Sequence, residues 1–213
     1  MKLRAVLFDF DGTLADTTEL IMRSYRHTMA AHLGRVPPDE EWLRGFGMTL
    51  EVQIARFARS PGEAAAMLET YRVFQQAHYA DLLRPFPGAV RAVEALARSG
   101  VGLAIVTSRH RESTLRGVDL CGIVDHFPLI VTPEDVAEPK PHPEPVLFAL
   151  ERLGVRPEEA VFVGDSPHDM AAGRAAGTRT AGALWGPFPR AALERESPDW
   201  LWERPEEVLG VVG

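Results

Sequence analysis

Asp9 and Asp11 stand one residue apart at the end of the apolar run Val6-Leu7-Phe8, and Gly12-Thr13 follow at once. Burying carboxylates at the end of such a run is costly unless positive charge meets them. A divalent cation, a phosphate group or both would supply the need. Three further stretches carry matching side chains: Thr107-Ser108-Arg109, Lys140 within Glu138-Pro139-Lys140-Pro141-His142-Pro143, and Asp165 and Asp169 within Gly164-Asp165-Ser166-Pro167-His168-Asp169. Mg²⁺ takes few carboxylates and keeps several waters. Asp9 and Asp165 can each offer it one oxygen, and the backbone carbonyl of Asp11 a third. Lys140, the Thr107 hydroxyl and the backbone N–H groups of Phe10, Asp11 and Ser108 are suited to phosphate oxygens. A carboxylate can attack phosphorus, and Asp9 is the natural nucleophile. Asp11 would protonate the leaving oxygen, then deprotonate the water that completes hydrolysis. Crowded carboxylates favour keeping one of them protonated, as an acid requires.

Elements must bring these stretches together. The apolar run reads as a buried strand from about Arg4 to Asp9, led in by the basic Met1-Lys2-Leu3-Arg4. Asp16-Thr17-Thr18-Glu19 resembles a capping box, with Asp16 as N-cap. Leu20, Ile21, Tyr25, Met29 and Leu33 then share a helical face. Gly34 and Pro37-Pro38 end that helix, and Gly45-Phe46-Gly47-Met48-Thr49 is a turn before a second helix, Leu50 to Arg59. Ser60-Pro61-Gly62-Glu63 starts a third, with Met67, Tyr71, Phe74 and His78 as its expected face. From Pro85 the pattern alternates. Strands are expected at Val101–Val106, Phe127–Val131, Ala160–Val163 and Arg179–Leu184, with helices between them and a short helix near Pro205–Leu209. Such alternation predicts an α/β fold: a Rossmann-like parallel sheet of about five strands with helices on both faces. Residues 16–84 read as an all-helical insertion, and residues 1–15 and 85–213 as the α/β core. In such sheets ligands sit beyond the carboxyl ends of the strands, where the polar stretches fall.

Composition narrows the partners. The chain has 213 residues, 46% hydrophobic and 25% charged, with a net charge of −7 and no clustered Lys/Arg stripe, which argues against nucleic acid. The single Cys121 rules out an internal disulfide or a multi-cysteine metal site. No apolar run approaches a membrane span and no signal-peptide pattern is evident, so a cytoplasmic protein is expected. Nothing sets an oligomeric state. A calcium loop counted from Asp9 fails at its sixth and twelfth positions, Leu14 and Leu20. His142 and His168 fit loop or capping roles better than ligation of Mg²⁺, which prefers oxygen. Trp200 and Trp202 read as packing in the tail.

Asp9-Phe10-Asp11-Gly12-Thr13, Val106-Thr107-Ser108, Lys140-Pro141 and Gly164-Asp165-Ser166-Pro167-His168-Asp169, in this order, resemble the haloacid dehalogenase superfamily and its small-molecule phosphatases with a helical cap. The resemblance covers essentially the whole chain. It implies Asp9 as nucleophile and metal ligand, and Asp11 as acid/base and backbone ligand. It further implies Thr107, Ser108, Arg109 and Lys140 as phosphate or substrate contacts, Asp165 as a metal ligand and Asp169 as support for the metal shell. Mg²⁺ is the implied cofactor and a small phosphorylated metabolite the implied partner. Dehalogenating members lack an acid at the position of Asp11. Thr18-Glu19-Leu20-Ile21, His27-Thr28, Tyr71-Arg72, Phe74 and His78 are similar to the pyrophosphatase branch, to which phosphoglycolate phosphatases are close. That branch often carries Lys where this chain has Arg109, whose planar fork changes the geometry offered to a substrate. Two alternatives share parts of the pattern: a sugar-phosphate mutase of the β-phosphoglucomutase type, and a receiver-like phospho-acceptor domain that is not an enzyme.

Overall fold

The computed structural model describes residues 3–212; Met1 and Lys2 of the basic N-terminal stretch lie outside the described residues. Strand β1, Ala5–Phe8, is the centre of the molecule. It pairs in parallel with β4 (Gly102–Val106) on one side and β6 (Ala160–Gly164) on the other. Beyond them lie β5 (Leu129–Val131), β7 (Arg179–Ala183) and β8 (Trp200–Trp202), giving a six-stranded sheet of order β5-β4-β1-β6-β7-β8. The chain works outward from β1 to β5, then returns to β6 beside β1. That reversal opens a crevice at the carboxyl ends of β1, β4 and β6.

Strand side chains alternate between faces, and both faces are apolar here. Val6 and Phe8 pack with Leu103, Ile105, Val161 and Val163 against helix α5 (Ala89–Ser99). Ala5 and Leu7 pack with Ala104, Val106 and Phe162 against α7 (Glu144–Leu153) and α8 (Pro167–Ala176). Helix α6 (Arg111–Leu120) follows β4. The sixth strand corrects the expectation of about five. Trp200-Leu201-Trp202 is too short for a periodic signal, and its pairing is fixed from afar. Asp199 N–H donates to the Thr180 carbonyl at 2.9 Å, and the Asp199 carboxylate accepts from Thr180 N–H at 2.9 Å.

Between β1 and α5 the chain makes a separate helical body. It contains α1 (Thr18–Leu33), α2 (Asp39–Leu43), α3 (Leu50–Ala55) and α4 (Pro61–Leu82). Met22, Tyr25, Met29, Trp42, Phe46, Ile54, Met67 and Tyr71 form its own core, with Tyr25 stacked on Trp42 at 4.7 Å. The chain enters through β2 (Ala15–Asp16) and leaves through β3 (Arg84–Pro85), which pair antiparallel as Ala15↔Pro85 and Asp16↔Arg84.

Two local expectations change. Asp16 does not cap α1 with Glu19: the β2–β3 ladder holds it one residue too early, Thr17 takes the N-cap position, and Glu19 pairs with Arg23 at 2.7 Å. Ser60 does cap α4, its hydroxyl accepting from Glu63 N–H at 3.2 Å. The buried face of α4, however, is Met67, Tyr71, Gln75 and Tyr79. Phe74 leaves that face and stacks between His27 at 4.7 Å and His78 at 4.1 Å.

Candidate active site

Asp9 follows the last residue of β1 and is 4% exposed. Its amide donates to the Val163 carbonyl at 2.8 Å, so the sheet itself aims the residue. The chain then folds back tightly, the Phe10 carbonyl accepting from Leu14 and Ala15 N–H, each at 3.0 Å. Gly12 makes this turn possible at φ +77°, and any Cβ there would lie 2.6 Å from the Asp165 carboxylate. A Cβ on Gly186 would come within 2.3 Å of Asp165 Cβ. Asp165 is thus cradled by two glycines, and its Oδ1 accepts from the Thr13 hydroxyl at 3.0 Å. Ser166 caps α8 in a capping box with Asp169, which turns the Asp169 side chain back toward the strand end.

Asp9, Asp165 and Asp169 each place a carboxylate oxygen within 4.8 Å of the others. Among the described residues, one cation answers Asp9 and Asp169. Lys140 Nζ lies 3.0 Å from Asp9 Oδ1, 2.6 Å from Asp169 Oδ1 and 3.2 Å from the Val106 carbonyl. Burial works against the charged lysine, but Asp169 and Asp9 hold its pKa above the usual lysine range. Burial, then the Asp169 charge, raises the Asp9 carboxyl to about 7 despite Lys140. Burial and the charges of Asp169 and Asp9 likewise push Asp165 upward. Three buried acids beside one lysine, which touches Asp9 and Asp169, leave an excess of negative charge, and all the donors are oxygen. That set suits a hard divalent cation such as Mg²⁺. Both Asp169 oxygens are already engaged, Oδ1 by Lys140 and Oδ2 by the Ser166 amide at 3.0 Å and its hydroxyl at 2.6 Å.

The Asp11 carboxylate turns away from this cluster. Arg109 Nε meets its Oδ2 at 2.8 Å and Arg109 Nη2 its Oδ1 at 2.9 Å, a forked pair. The third Arg109 nitrogen reaches across to α4, donating to Gln75 Oε1 at 3.2 Å and to the Tyr79 hydroxyl. The Thr107 hydroxyl accepts from Arg109 N–H at 3.1 Å, and the Ser108 hydroxyl donates to the Gly47 carbonyl at 2.7 Å. The expected Gly45–Thr49 turn therefore lies against the strand ends.

A cavity of about 550 Å³ separates the helical body from the sheet; Asp9, Asp11, Thr107, Ser108, Arg109 and Asp165 line its floor. Trp42, Phe46, Met48, Tyr71 and Arg72 line it from the helical side. Lys140 and Asp169 stand behind the floor, almost fully buried. All the predicted site residues thus lie at or directly behind one crevice. Sequence reading missed Gln75 and Tyr79, although spacing of four from Tyr71 carries the signal. His142 is half exposed and accepts from Glu144 N–H at 3.3 Å, away from the acids.

Comparison with known proteins agrees with this architecture. Residues 6–183 match the model of the haloacid dehalogenase-like hydrolase family. A pyrophosphatase PpaX of Bacillus pumilus is 38% identical over 211 residues, covering 99% of this chain and 97% of the relative. The crystal structure of CbbY from Rhodobacter sphaeroides in complex with xylulose-1,5-bisphosphate superposes with a TM-score of 0.85 at 28% identity, covering 98% of this chain and 99% of that one. A Haemophilus somnus protein shares the fold with a TM-score of 0.90 at 22% identity, covering 100% of this chain and 99% of that one. The receiver-like alternative falls with these matches. No helix among the described residues is long and apolar enough to cross a membrane. The central strand, the crevice at its carboxyl end and the family match agree: this chain belongs to the haloacid dehalogenase-like hydrolases.

Proposed function

We propose that the chain is a Mg²⁺-dependent phosphohydrolase of the cytoplasm that passes a phosphoryl group through Asp9. The observation that carries this reading is the Asp9 carboxylate itself: at the cavity floor, 3.0 Å from Lys140, with a second acid two residues on. Asp9 attacks phosphorus and the bond to the leaving oxygen breaks, giving an aspartyl-phosphate. Asp11, freed from its fork with Arg109 and protonated from solvent before the transfer, gives its proton to that oxygen. It then takes a proton from water as the water attacks the aspartyl-phosphate. Thr107 and Ser108 hold phosphate oxygens, and Lys140 supplies positive charge from directly behind Asp9. Asp9, Asp165 and the Asp11 backbone carbonyl would hold Mg²⁺, with Asp169 supporting the shell through Lys140 and Ser166, and the ion would supply positive charge to the transferring group.

On this reading residues 16–84 are a cap over the core formed by residues 1–15 and 85–213, and the cap selects the substrate. Relatives named pyrophosphatase favour inorganic pyrophosphate. A candidate phosphoglycolate phosphatase of Lactobacillus plantarum, 26% identical with a TM-score of 0.88, favours phosphoglycolate. The cavity of about 550 Å³, ample for an organic leaving group, keeps a mutase acting on a sugar phosphate as the second reading.

Phosphate release across pyrophosphate, phosphoglycolate and sugar phosphates tests these together. Turnover is expected to require Mg²⁺ and to vanish in EDTA. Metal-independent release would overturn the proposal, and phosphate retained on a sugar product would favour the mutase. Met48 lines the cavity from the cap side. Met48→Ala is expected to shift the ratio of kcat/KM between two substrates by roughly tenfold, as lost contacts of one or two kilocalories do, while hydrolysis of the better substrate persists. An unchanged ratio across the panel would remove the Gly45–Thr49 turn from substrate selection.

A further inference from the structure

The rim of the cavity carries a charged cluster that the chemistry above does not use. Glu51 comes from α3, Arg72 from α4, His110 from the turn after β4, and Glu134 from the 3-10 turn Pro133–Asp135. The His110 ring is held at both nitrogens. Nε2 lies 2.6 Å from Glu51 Oε1, and Nδ1 lies 2.8 Å from Glu134 Oε1. Arg72 Nη2 lies 2.6 Å from that same Glu51 oxygen and 3.1 Å from His110 Nε2.

A neutral imidazole has a single N–H. If it sits on Nδ1, Glu134 is satisfied and Nε2 can accept from Arg72. The Nε2 lone pair then faces Glu51 Oε1 at 2.6 Å, which is repulsive. If it sits on Nε2, the same conflict arises at Glu134. Only the imidazolium donates to both carboxylates; Arg72 Nη2, 3.1 Å from Nε2, then has no lone pair to meet on the ring and gives its N–H to Glu51 Oε1 at 2.6 Å. With it, two acids and two cations balance; without it, the cluster carries a net negative charge. The other charged neighbours do not compete for the ring. Arg111 gives its amide to Glu134 at 3.0 Å and its guanidinium to Asp135. Arg109 is spent on Asp11, and Glu112, two residues after His110, lines the cavity.

We propose that His110 is a positioning residue that, as an imidazolium, clasps the helical body to the sheet, joining Glu51 on one side to Glu134 on the other, and so keeps the cavity closed over Asp9. The titration behaviour agrees. The hydrogen bond to Glu51, then that to Glu134, hold His110 above the ordinary imidazole range, with burial opposing. Hydrogen bonding from His110 lowers Glu51. Against the upward push of burial, the Arg111 amide and His110 bring Glu134 to about 2. A raised imidazole pKa fixes the sign. The clasp is complete below the pH at which free imidazole titrates, and it is lost as pH rises through the raised value.

The closed form holds this contact at two half-exposed pairs, each of modest strength, so its loss is expected to favour opening by about fivefold. Hydrogen exchange on the full chain, without substrate, reads this directly. At about pH 6 the α3 amides of His110→Gln are expected to exchange about fivefold faster than wild type, and at about pH 9 the two should coincide. Glu51→Gln should show the same pH-dependent loss on top of a pH-independent one from its lost pair with Arg72, and the double variant should add nothing to the pH-dependent part. Equal protection at about pH 6 in both single variants would overturn the clasp.

The second readout, KM, rests on the phosphohydrolase reading. The ratio of variant to wild-type KM should be about fivefold at low pH and fall toward one at high pH, with kcat changed less than about twofold. Substrate ionisation cancels in that ratio. A KM ratio unaffected by pH in an active enzyme would also overturn the proposal. Absence of phosphatase activity together with the exchange difference would sink the phosphohydrolase reading and leave the clasp standing.

Discussion

Asp9→Asn is expected to lower phosphate release by about 10⁴-fold or more, as loss of a nucleophile does, while leaving the fold intact. An amide of the same shape occupies the end of β1, and the Asp9 amide bond to Val163 does not depend on the side chain. The carboxamide cannot attack phosphorus. Its effect on the protein without metal has the opposite sign. Burial and neighbouring acids raise the Asp9 carboxyl to about 7, so the folded chain binds that proton more tightly than the unfolded one. Stability from this group is therefore full below the ordinary carboxylate pKa and is lost as pH rises through about 7. The substituted carboxamide has no such titration. In EDTA the variant should unfold at a temperature equal to or above that of wild type near neutral pH, and its melting temperature should fall less steeply as pH rises. Magnesium should raise the wild-type midpoint more than that of the variant. A fully active Asp9→Asn would end the proposal of a covalent aspartyl intermediate.

Lys140→Met is expected to damage both stability and chemistry. Its side chain is 1% exposed and is the only cation within contact distance of the acid cluster among the described residues. Methionine keeps much of the volume and removes the charge. Breaking a buried ion pair from one side typically costs about 3–5 kcal/mol, because the remaining charges lose their compensation. Chemical denaturation in EDTA should show a loss of that order at neutral pH. The loss should shrink at acid pH, where the carboxylates take up protons, and in saturating magnesium. Turnover should fall by about 10²-fold or more even in folded protein, since the positive charge beside Asp9 is gone. An unchanged unfolding midpoint in EDTA would show that Asp9, Asp165 and Asp169 do not depend on Lys140.

The sequence exposes those parts of the site that local pattern determines. Ala5–Phe8 is apolar at every position because both faces of β1 are covered. Asp9, Thr107 and Asp165 each follow a strand that can be read from its own residues. Ser166 and Asp169 announce themselves as a capping box. The unread parts depend on contacts distant in sequence. Arg109 is expected at the substrate, yet its side chain lies on Asp11, separated by 98 positions, and on Gln75 and Tyr79 of α4. Nothing near Arg109 in the sequence indicates that pairing. Gln75 is polar and so interrupts the apolar stripe of α4, although it sits on the buried face; Phe74 is apolar and leaves it. β8 exists because Asp199 docks on Thr180, not because Trp200-Leu201-Trp202 favours a strand on its own.

The paired β2 and β3 have a consequence for ancestry. The chain departs from the sheet and comes back at neighbouring points, Asp16 beside Arg84, roughly 5 Å apart as antiparallel partners are. The sheet therefore does not register how much polypeptide lies between them, and lengthening such a loop costs only logarithmically in entropy. A lineage can change the length of what lies between those two residues without altering the ladder that aims Asp9 and Asp165, provided α4 keeps Gln75 and Tyr79 against Arg109. On the proposed function, selectivity can then drift while the strand ends that hold Asp9 and Asp165 stay still.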